Sequence, residues 1–191
     1  MGLSIHYSGT IRNVSLIDQL IDETSDVCAS MDWKYNVIKE SGDNGVNGIV
    51  FSPKNCEPVF LTFLTKGRMC SPINPGNKEF YSANGLDPEL VYTTSTKTQF
   101  AGPDAHIALL KLLKYLSKKY FETFELNDEG YYWGTEDEKI LLQRFTHYNN
   151  ILNAVKDVLT GMPYQSGEDV NSLANRIEEA IKRSFGEETG N

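Results

Sequence analysis

Apolar and polar residues alternate over most of the first half of the chain. Leu3, Ile5 and Tyr7 are separated by polar residues, which is typical of a strand with one buried face. The alternation continues to residue 11. It recurs in later segments that we therefore predict to be strands, namely 33–37, 49–51, a hairpin over 58–72, and 90–98. The first half of the chain is thus expected to supply most of a sheet.

Helical spacing replaces this alternation once near the N-terminus and throughout the second half. Apolar residues recur every three or four positions in segments that we predict to be helices, namely 16–31, 103–119, 135–159 and 168–185. Thr135 and Glu138 have the spacing of a capping box, and Pro103 suits the first turn of a helix. Phe124 and Leu126 indicate one further short strand between two of these helices.

This order of elements is typical of an α+β protein. We expect one antiparallel sheet of five to six strands with helices packed on one face, the strands mostly N-terminal and the helices mostly C-terminal. Residues 1–161 form the predicted α+β domain, and residues 162–191 form a C-terminal helix and tail that we expect to pack on the same domain. The stretch 74–88 is rich in Asn, Pro and Gly, and we interpret it as a long surface loop.

The net charge of the chain indicates which kinds of partner it could bind. The chain has 191 residues, of which 26 are acidic and 18 are Lys or Arg, so its formal net charge is −8. Binding of nucleic acid needs clustered cations that neutralise phosphates, so we expect no nucleic acid as a partner and a basic protein instead. No apolar run is long enough to span a bilayer and no leader peptide is recognisable, which predicts a cytoplasmic protein that uses no membrane.

Cysteines and histidines are too few and too scattered to suggest a metal centre. The three cysteines, Cys28, Cys56 and Cys70, have no zinc-type spacing, and their odd number argues against a disulfide framework. The three histidines form no short-range ligand pair. We therefore predict no metal and no cofactor. A catalytic cysteine also has little support, because no histidine is close in sequence to Cys56.

One unusual segment, DEGYYWGTEDE (Asp128–Glu138), combines five acids with three aromatic residues. As a binding loop it would offer carboxylates for a cationic group and rings for stacking. A simpler interpretation is that its last three residues are acids favoured at a helix N-terminus, while the tryptophan and one tyrosine fill the core. The candidate ligand-binding residues of this segment are Asp128, Glu129, Tyr131, Tyr132 and Trp133.

A second segment, TKTQFAGPDAH (Thr96–His106), runs from a polar strand into a helix that begins with proline. Free N–H groups at that helix terminus could hold an anion, with Lys97, Gln99 and His106 as candidate ligand-binding residues. The helix dipole favours neutral imidazole at His106, which could then be a ligand or a base. The alternative is a partly buried His106 that makes a structural hydrogen bond.

These two segments, with the Leu- and Lys-rich helix between them, resemble a family of bacterial proteins that has no assigned activity. The resemblance covers residues 90–160 and, more loosely, the N-terminal strands. It implies a bacterial cytosolic α+β protein in which the two segments occur together and face one another. The family pattern has an acid after the tryptophan, where this chain has Gly134, so any role of that acid does not carry over.

Two classes of function remain open from the sequence. The first hypothesis is a non-enzymatic binding or protein-interaction module that contacts a basic partner through segments 128–138 and 74–88. The alternative is a small hydrolase-like enzyme, or a small-ligand or metal-binding protein, with a pocket between the Lys97–His106 turn and the Asp128–Trp133 loop. That alternative requires His106 to meet Asp128 or Glu129. A homodimer formed through the last helix is a third hypothesis.

Overall fold

The computed structural model describes residues 2–40, 45–72, 78–161 and 169–185. The chain divides into two compact units, residues 1–145 and 146–191. Its strands are β1 (Ser4–Ile11), β2 (Lys34–Lys39), β3 (Asn47–Ser52), β4 (Val59–Phe63), β5 (Thr94–Lys97) and β6 (Phe121–Asp128). Its helices are α1 (Ile17–Ser30), α2 (Lys78–Ala83), α3 (Pro103–Tyr120), α4 (Tyr132–Thr135), α5 (Glu138–Gly161) and α6 (Val170–Phe185). Short 3₁₀ turns lie at Val14–Leu16 and Pro88–Tyr92.

The first sheet has the order β5-β1-β6 and is antiparallel, with β1 in the centre. The alternation of β1 turns Ile5 and Tyr7 into the core and leaves the polar residues between them half-exposed on the other face. Ile5 lies opposite Thr96 on β5 and opposite Asp128 on β6. The ends of both outer strands therefore meet beside the same residue of β1, and α3 packs against β6.

The second sheet has the order β2-β3-β4 and is also antiparallel. Ile49 and Phe51 of β3 are buried, and the Trp33 ring stacks on the Phe51 ring with centroids 5.8 Å apart. Helix α1 packs against β2 and β3 with the apolar face that its helical spacing predicts.

Two three-stranded sheets replace the single sheet of five to six strands that the alternation predicted. The return arm of the predicted 58–72 hairpin joins them: Arg68 pairs with Thr10 of β1, and Met69 pairs with Phe63 of β4, each as an isolated bridge. This arm links the sheets without forming a strand of either. Alternation identifies the buried face of a strand but not its neighbours, so the prediction of one sheet was wrong.

The α+β class is confirmed, and so is the order in which most strands precede most helices. The stretch 74–88 is only partly a loop, because α2 and the start of a 3₁₀ turn lie in its described part, while residues 73–77 lie outside the described residues. The strand predicted over 90–98 is shorter, since the chain forms a 3₁₀ turn before β5.

The C-terminal unit contains most of α5 and all of α6. Helical spacing predicted a buried stripe on the last helix, yet Val170 and Leu173 are exposed in the single chain. Both ends of the predicted C-terminal segment, residues 162–168 and 186–191, lie outside the described residues. The division at residue 161 stays a prediction.

Candidate functional site

His106 joins the two segments that carry the candidate residues. It lies in the first turn of α3, Thr98 directly follows β5, and Asp128 ends β6. His106 Nδ1 is 2.6 Å from Thr98 Oγ1, and His106 Nε2 is 2.9 Å from Asp128 Oδ1. An ionised carboxylate only accepts hydrogen bonds, so His106 Nε2 donates to Asp128, and the Thr98 hydroxyl lies at the other ring nitrogen, Nδ1.

Asp128 also fixes the loop that follows it. Its Oδ1 accepts the Gly130 N–H at 2.7 Å, and its Oδ2 accepts the Trp133 N–H at 2.9 Å. Burial by itself raises the pKa of Asp128. The hydrogen bond and electrostatic attraction of His106, together with the two backbone N–H groups, outweigh burial and hold this pKa below its usual range. The carboxylate is therefore ionised at neutral pH and has partners on both oxygens.

The cluster has the residue types of a hydrolytic triad, Thr98, His106 and Asp128. Its side chains, however, are not accessible to a substrate. Thr98 and His106 are 0 % exposed, and Asp128 is 6 % exposed. A nucleophile and its base must reach the substrate, and these side chains instead bond to one another and to nearby backbone. They occupy the space in which the hydrolase-like alternative expected a pocket. Their geometry is that of the structural hydrogen bond weighed for His106 from the sequence.

Glu129 does not join this cluster. Its Oε2 accepts the Ser4 N–H at 2.7 Å, and its Oε1 lies 3.7 Å from His6 Nε2. The two partners of Glu129 are thus on β1, whereas both ring nitrogens of His106 are occupied by Thr98 and Asp128. Of the two carboxylates proposed for His106, the structure brings Asp128 into contact.

Lys97 and Gln99 lie apart from His106. Lys97 Nζ is 5.5 Å from the centre of the exposed Phe100 ring. The Gln99 side chain is buried, and its amide has no hydrogen-bond partner in the described part of the chain. Gly2 packs against both residues so closely that a Cβ placed there would lie 2.5 Å from Gln99 Oε1. The space between Gly2 and the side chains of Lys97 and Gln99 is therefore filled.

The three aromatic residues of the 128–138 segment have different environments. Tyr132 is buried, as the core interpretation of this segment expects. Tyr131 is 52 % exposed, and the guanidinium of Arg144 lies 4.3 Å from the centre of its ring. Trp133 is half-buried and lines a cavity of about 210 Å³ between the loop and α3. This cavity is also lined by two lysines of α3, Lys111 and Lys114.

The acids of this segment are mostly engaged within the molecule. Glu136 forms an ion pair with Lys114, and Asp137 accepts the Lys139 N–H at 2.8 Å at the start of α5. Asp128 is buried and Glu129 accepts the Ser4 N–H, so these two acids are directed towards the rest of the fold rather than towards solvent. The structure therefore offers weak support for the 128–138 segment as the contact surface of the first hypothesis.

Strand β2, which alternation predicted over 33–37, forms an open edge of the second sheet, and the sequence predicted no candidate site there. It pairs with β3 alone, and no other backbone partner is found for residues 34–39 in the described part of the chain. Five of its six residues are exposed. Tyr35 and Val37 lie opposite the buried Phe51 and Ile49, and so on the core side of the sheet, yet they are 47 % and 38 % exposed. Alternation shows only that this strand has an apolar face, and it does not show that the face is left half-covered.

A row of carboxylates lies beside this edge. Asp18, Asp22 and Asp26 follow one another at four-residue spacing, so they lie along one flank of α1. Lys39, the last residue of β2, donates to Asp18 Oδ1 at 3.0 Å, which places that flank next to the strand. Asp22 and Asp26 are exposed, and their carboxylates have no partner among the residues that the structure describes.

The opposite flank of α1 faces α3. Glu23 accepts hydrogen bonds from Lys119 Nζ at 2.7 Å and from the hydroxyls of Tyr115 and Tyr120, each at 2.8 Å. Burial raises the pKa of Glu23, but these three donors outweigh it and lower that pKa overall. Helix α1 is therefore held to α3 through Glu23 and to β2 through Asp18, while the free carboxylates of Asp22 and Asp26 lie on its solvent side, opposite the buried face.

Comparison of the chain with family models, with curated proteins and with solved structures finds no match. No described helix is long and apolar enough to cross a membrane. Among residues 2–40, 45–72, 78–161 and 169–185, no group of three or more His, Cys, Asp or Glu side chains is arranged to hold a metal ion.

Proposed function

We propose that this chain is a non-enzymatic interaction module that binds an extended, basic segment of a partner protein along β2. The observation that carries the proposal is the open edge of β2 beside the free carboxylates of α1. In keeping with the resemblance of residues 90–160, the proposal takes the chain to be a bacterial cytoplasmic protein.

The backbone of β2 supports strand addition. An edge strand presents a row of unpaired N–H and C=O groups, and an extended peptide that pairs with them gains main-chain hydrogen bonds. A further strand would also cover the exposed parts of Tyr35 and Val37, which lie on the core side of the sheet. Burial of that apolar surface adds a hydrophobic contribution to the backbone pairing.

The charges beside β2 support a basic occupant. Side chains of an added strand that point to the α1 side would lie beside Tyr35 and Val37, on the side of the sheet where α1 carries the exposed Asp22 and Asp26. Lys and Arg suit this position, because their stems can cover apolar surface while their charged ends reach a carboxylate. The net charge of −8 would in addition speed the encounter with a basic segment.

A second copy of the chain fits this edge less well. Pairing of β2 with β2 across a two-fold axis, with both core faces on one side, would bring the two α1 flanks towards each other. Each flank carries exposed Asp22 and Asp26, so the approach of two copies would bring like charges together. A homodimer through α6 stays a separate prediction, to which the exposed Val170 and Leu173 are relevant.

The test uses a labelled nine-residue peptide of alternating lysine and valine, and a matched peptide of alternating glutamate and valine. We expect the lysine peptide to bind, with fluorescence anisotropy giving its Kd, and hydrogen exchange to slow at residues 34–39. Asp22→Lys with Asp26→Lys should weaken binding at least tenfold. The control, Glu79→Lys with Asp157→Lys, changes the net charge equally at exposed acids elsewhere and should have a much smaller effect.

Two results would overturn the proposal. One is equal weakening by both double variants, which would mean that only net charge matters. The other is binding of the lysine peptide with slower exchange at residues 128–138 and none at 34–39, which would place the contact on the loop instead.

A further inference from the structure

The cavity of about 210 Å³ between the 128–138 segment and α3 takes no part in the proposed docking edge, because no residue of α1 or β2 lines it. Its lining is partly apolar and partly charged. The apolar residues are Leu110, Tyr132 and Trp133, and the charged residues are Lys111, Lys114 and Glu136. A ligand that fits this cavity therefore combines an apolar surface with a charge.

The charge at this cavity is predominantly positive. Lys111, Lys114 and Lys118 recur at spacings of four and three residues, so they lie along one flank of α3. The hydrogen bond from Lys114 and the charges of all three lysines hold the pKa of Glu136 below its usual range. Three cations thus act on a place where the cavity lining supplies one carboxylate.

The helix dipole does not account for the two lysines that line the cavity. Lys118 lies in the last turn of α3, where the dipole favours a cation. Lys111 and Lys114 lie further from that end, in the middle of the helix. Lys114 pairs with Glu136, whereas Lys111 forms no ion pair with any residue that the structure describes. An uncompensated positive charge therefore remains at the wall of the cavity.

Trp133 provides a flat apolar surface beside these cations. Its half-buried ring packs against the Phe124 ring, with centroids 6.1 Å apart, and Lys114 Nζ lies 5.7 Å from its centre. The Trp133 N–H donates to Asp128 Oδ2 at 2.9 Å, so a buried carboxylate holds the segment that carries the ring. Because the ring is already held in place, a planar group can stack on it with little ordering cost.

We propose that this cavity binds a small planar carboxylate, such as a one-ring aromatic acid, with its carboxylate at Lys111 and Lys114 and its ring against Trp133. The size agrees, because pockets for drug-sized ligands measure about 300–1,000 Å³ and this one is smaller. The exposed pair of Lys114 and Glu136 contributes little free energy, so the Glu136 carboxylate is a competitor that a ligand can displace. The site is independent of the proposed docking at β2.

The experiment titrates isotope-labelled protein with benzoate and follows the indole N–H signals of its two tryptophans by NMR. We expect the Trp133 signal to shift until the site is saturated. The Trp33 signal should stay in place, because that ring is buried against Phe51. Benzamide is planar but neutral, and cyclohexanecarboxylate is charged but not planar, so each should bind about fivefold more weakly than benzoate.

Two substitutions should change the affinity in opposite directions, which misfolding does not imitate. Glu136→Gln removes the competing carboxylate and should tighten benzoate binding about threefold to fivefold. Lys111→Gln removes a cation and should weaken binding by a similar factor. The controls Glu79→Gln and Lys66→Gln make the same changes of charge at exposed residues that do not line the cavity, and both should leave the affinity nearly unchanged.

Three results would overturn this proposal. The first is a Trp133 signal that does not shift, or that shifts only together with the Trp33 signal. The second is equal binding of benzoate and benzamide, which would leave the lysines without a role. The third is equal affinity of the Glu136→Gln and Lys111→Gln variants. Docking at β2 is measured separately, by hydrogen exchange at residues 34–39, so failure of this site leaves that proposal in place.

Discussion

His106 and Asp128 form a hydrogen bond of 2.9 Å between side chains that are almost completely closed to solvent. The bond ties the start of α3 to the end of β6, and the Thr98 hydroxyl extends it to the end of β5. Both conspicuous segments of the sequence therefore meet at one buried point. The chemistry-bearing residues at that point bond to one another inside the fold, and the docking edge that we propose lies elsewhere, on β2.

Removal of the His106 ring should destabilise the protein strongly. His106→Ala deletes two buried hydrogen bonds and leaves a cavity, so we expect the free energy of unfolding to fall by about 3 kcal/mol. His147→Ala removes an exposed histidine and should change it by less than about 0.5 kcal/mol. Urea unfolding followed by circular dichroism measures both. A loss of activity or binding without a loss of stability in His106→Ala would contradict a structural role.

Lowering the pH should remove the contribution that ionised Asp128 makes to the free energy of unfolding. The folded-state pKa of Asp128 lies below its unfolded value, which is about 3.9, so its ionised form stabilises the protein above that pH. This contribution is lost as the pH falls through the lowered folded pKa. Asp128→Asn should therefore be less stable than the unaltered protein at pH 7, and the difference should narrow towards pH 3. Unfolding curves across this pH range test the prediction, and a constant difference would contradict it.

A side chain at position 130 would not fit beside the contact between His106 and Asp128. A Cβ placed on Gly130 would lie 2.8 Å from His106 Nε2 and 2.6 Å from Leu141 Cδ1. Gly130→Ala should therefore destabilise the protein by about 1–3 kcal/mol. Gly134→Ala is the matched control, because nothing lies within 4 Å of a Cβ at that position. Equal melting temperatures of the two variants would show that the loop yields easily.

The thiols should react slowly with a disulfide reagent at pH 8. Burial raises the pKa of Cys28 to about 11 and also raises the pKa of Cys70. Burial and the charge of Glu57 raise the pKa of Cys56, against the lowering effect of a Thr96 hydrogen bond. Cys56 is only half-buried, so it should react first but more slowly than free cysteine. Cys56→Ser should remove this first phase, and rapid reaction of Cys28 would contradict the prediction.

The spacing of apolar residues within short segments predicted most of the helices and strands. The alternation of Leu3, Ile5 and Tyr7 identified β1 and its buried face, and helical spacing identified α1 and α3. These features depend on neighbours within a few residues, and that information is present in any short window of the chain. Of the three acids expected in the first turn of α5, only Glu138 lies there, because Thr135 ends α4, Glu136 follows it, and Asp137 instead of Thr135 accepts the Lys139 N–H before the helix.

Relations between distant residues could not be predicted in this way. The sequence allowed His106 to meet either Asp128 or Glu129, and only the register of β6 against β1 turns Asp128 to the core side. The open edge of β2 depends on which strand lies beside it, and a two-residue period carries no information on that choice. A search for apolar residues on the outermost strand of a known sheet would have found Tyr35 and Val37.

The central place of β1 has a consequence for synthesis on the ribosome. Its partners are distant in the chain, since Tyr7 pairs with Thr94 and with Leu126. The second sheet, in contrast, is complete once Phe63 has been made. At about 5–20 residues per second, roughly 6–23 s pass between completion of β1 and completion of β6. β1 is therefore translated before the strands of the second sheet, yet both of its neighbours are translated after that sheet is complete.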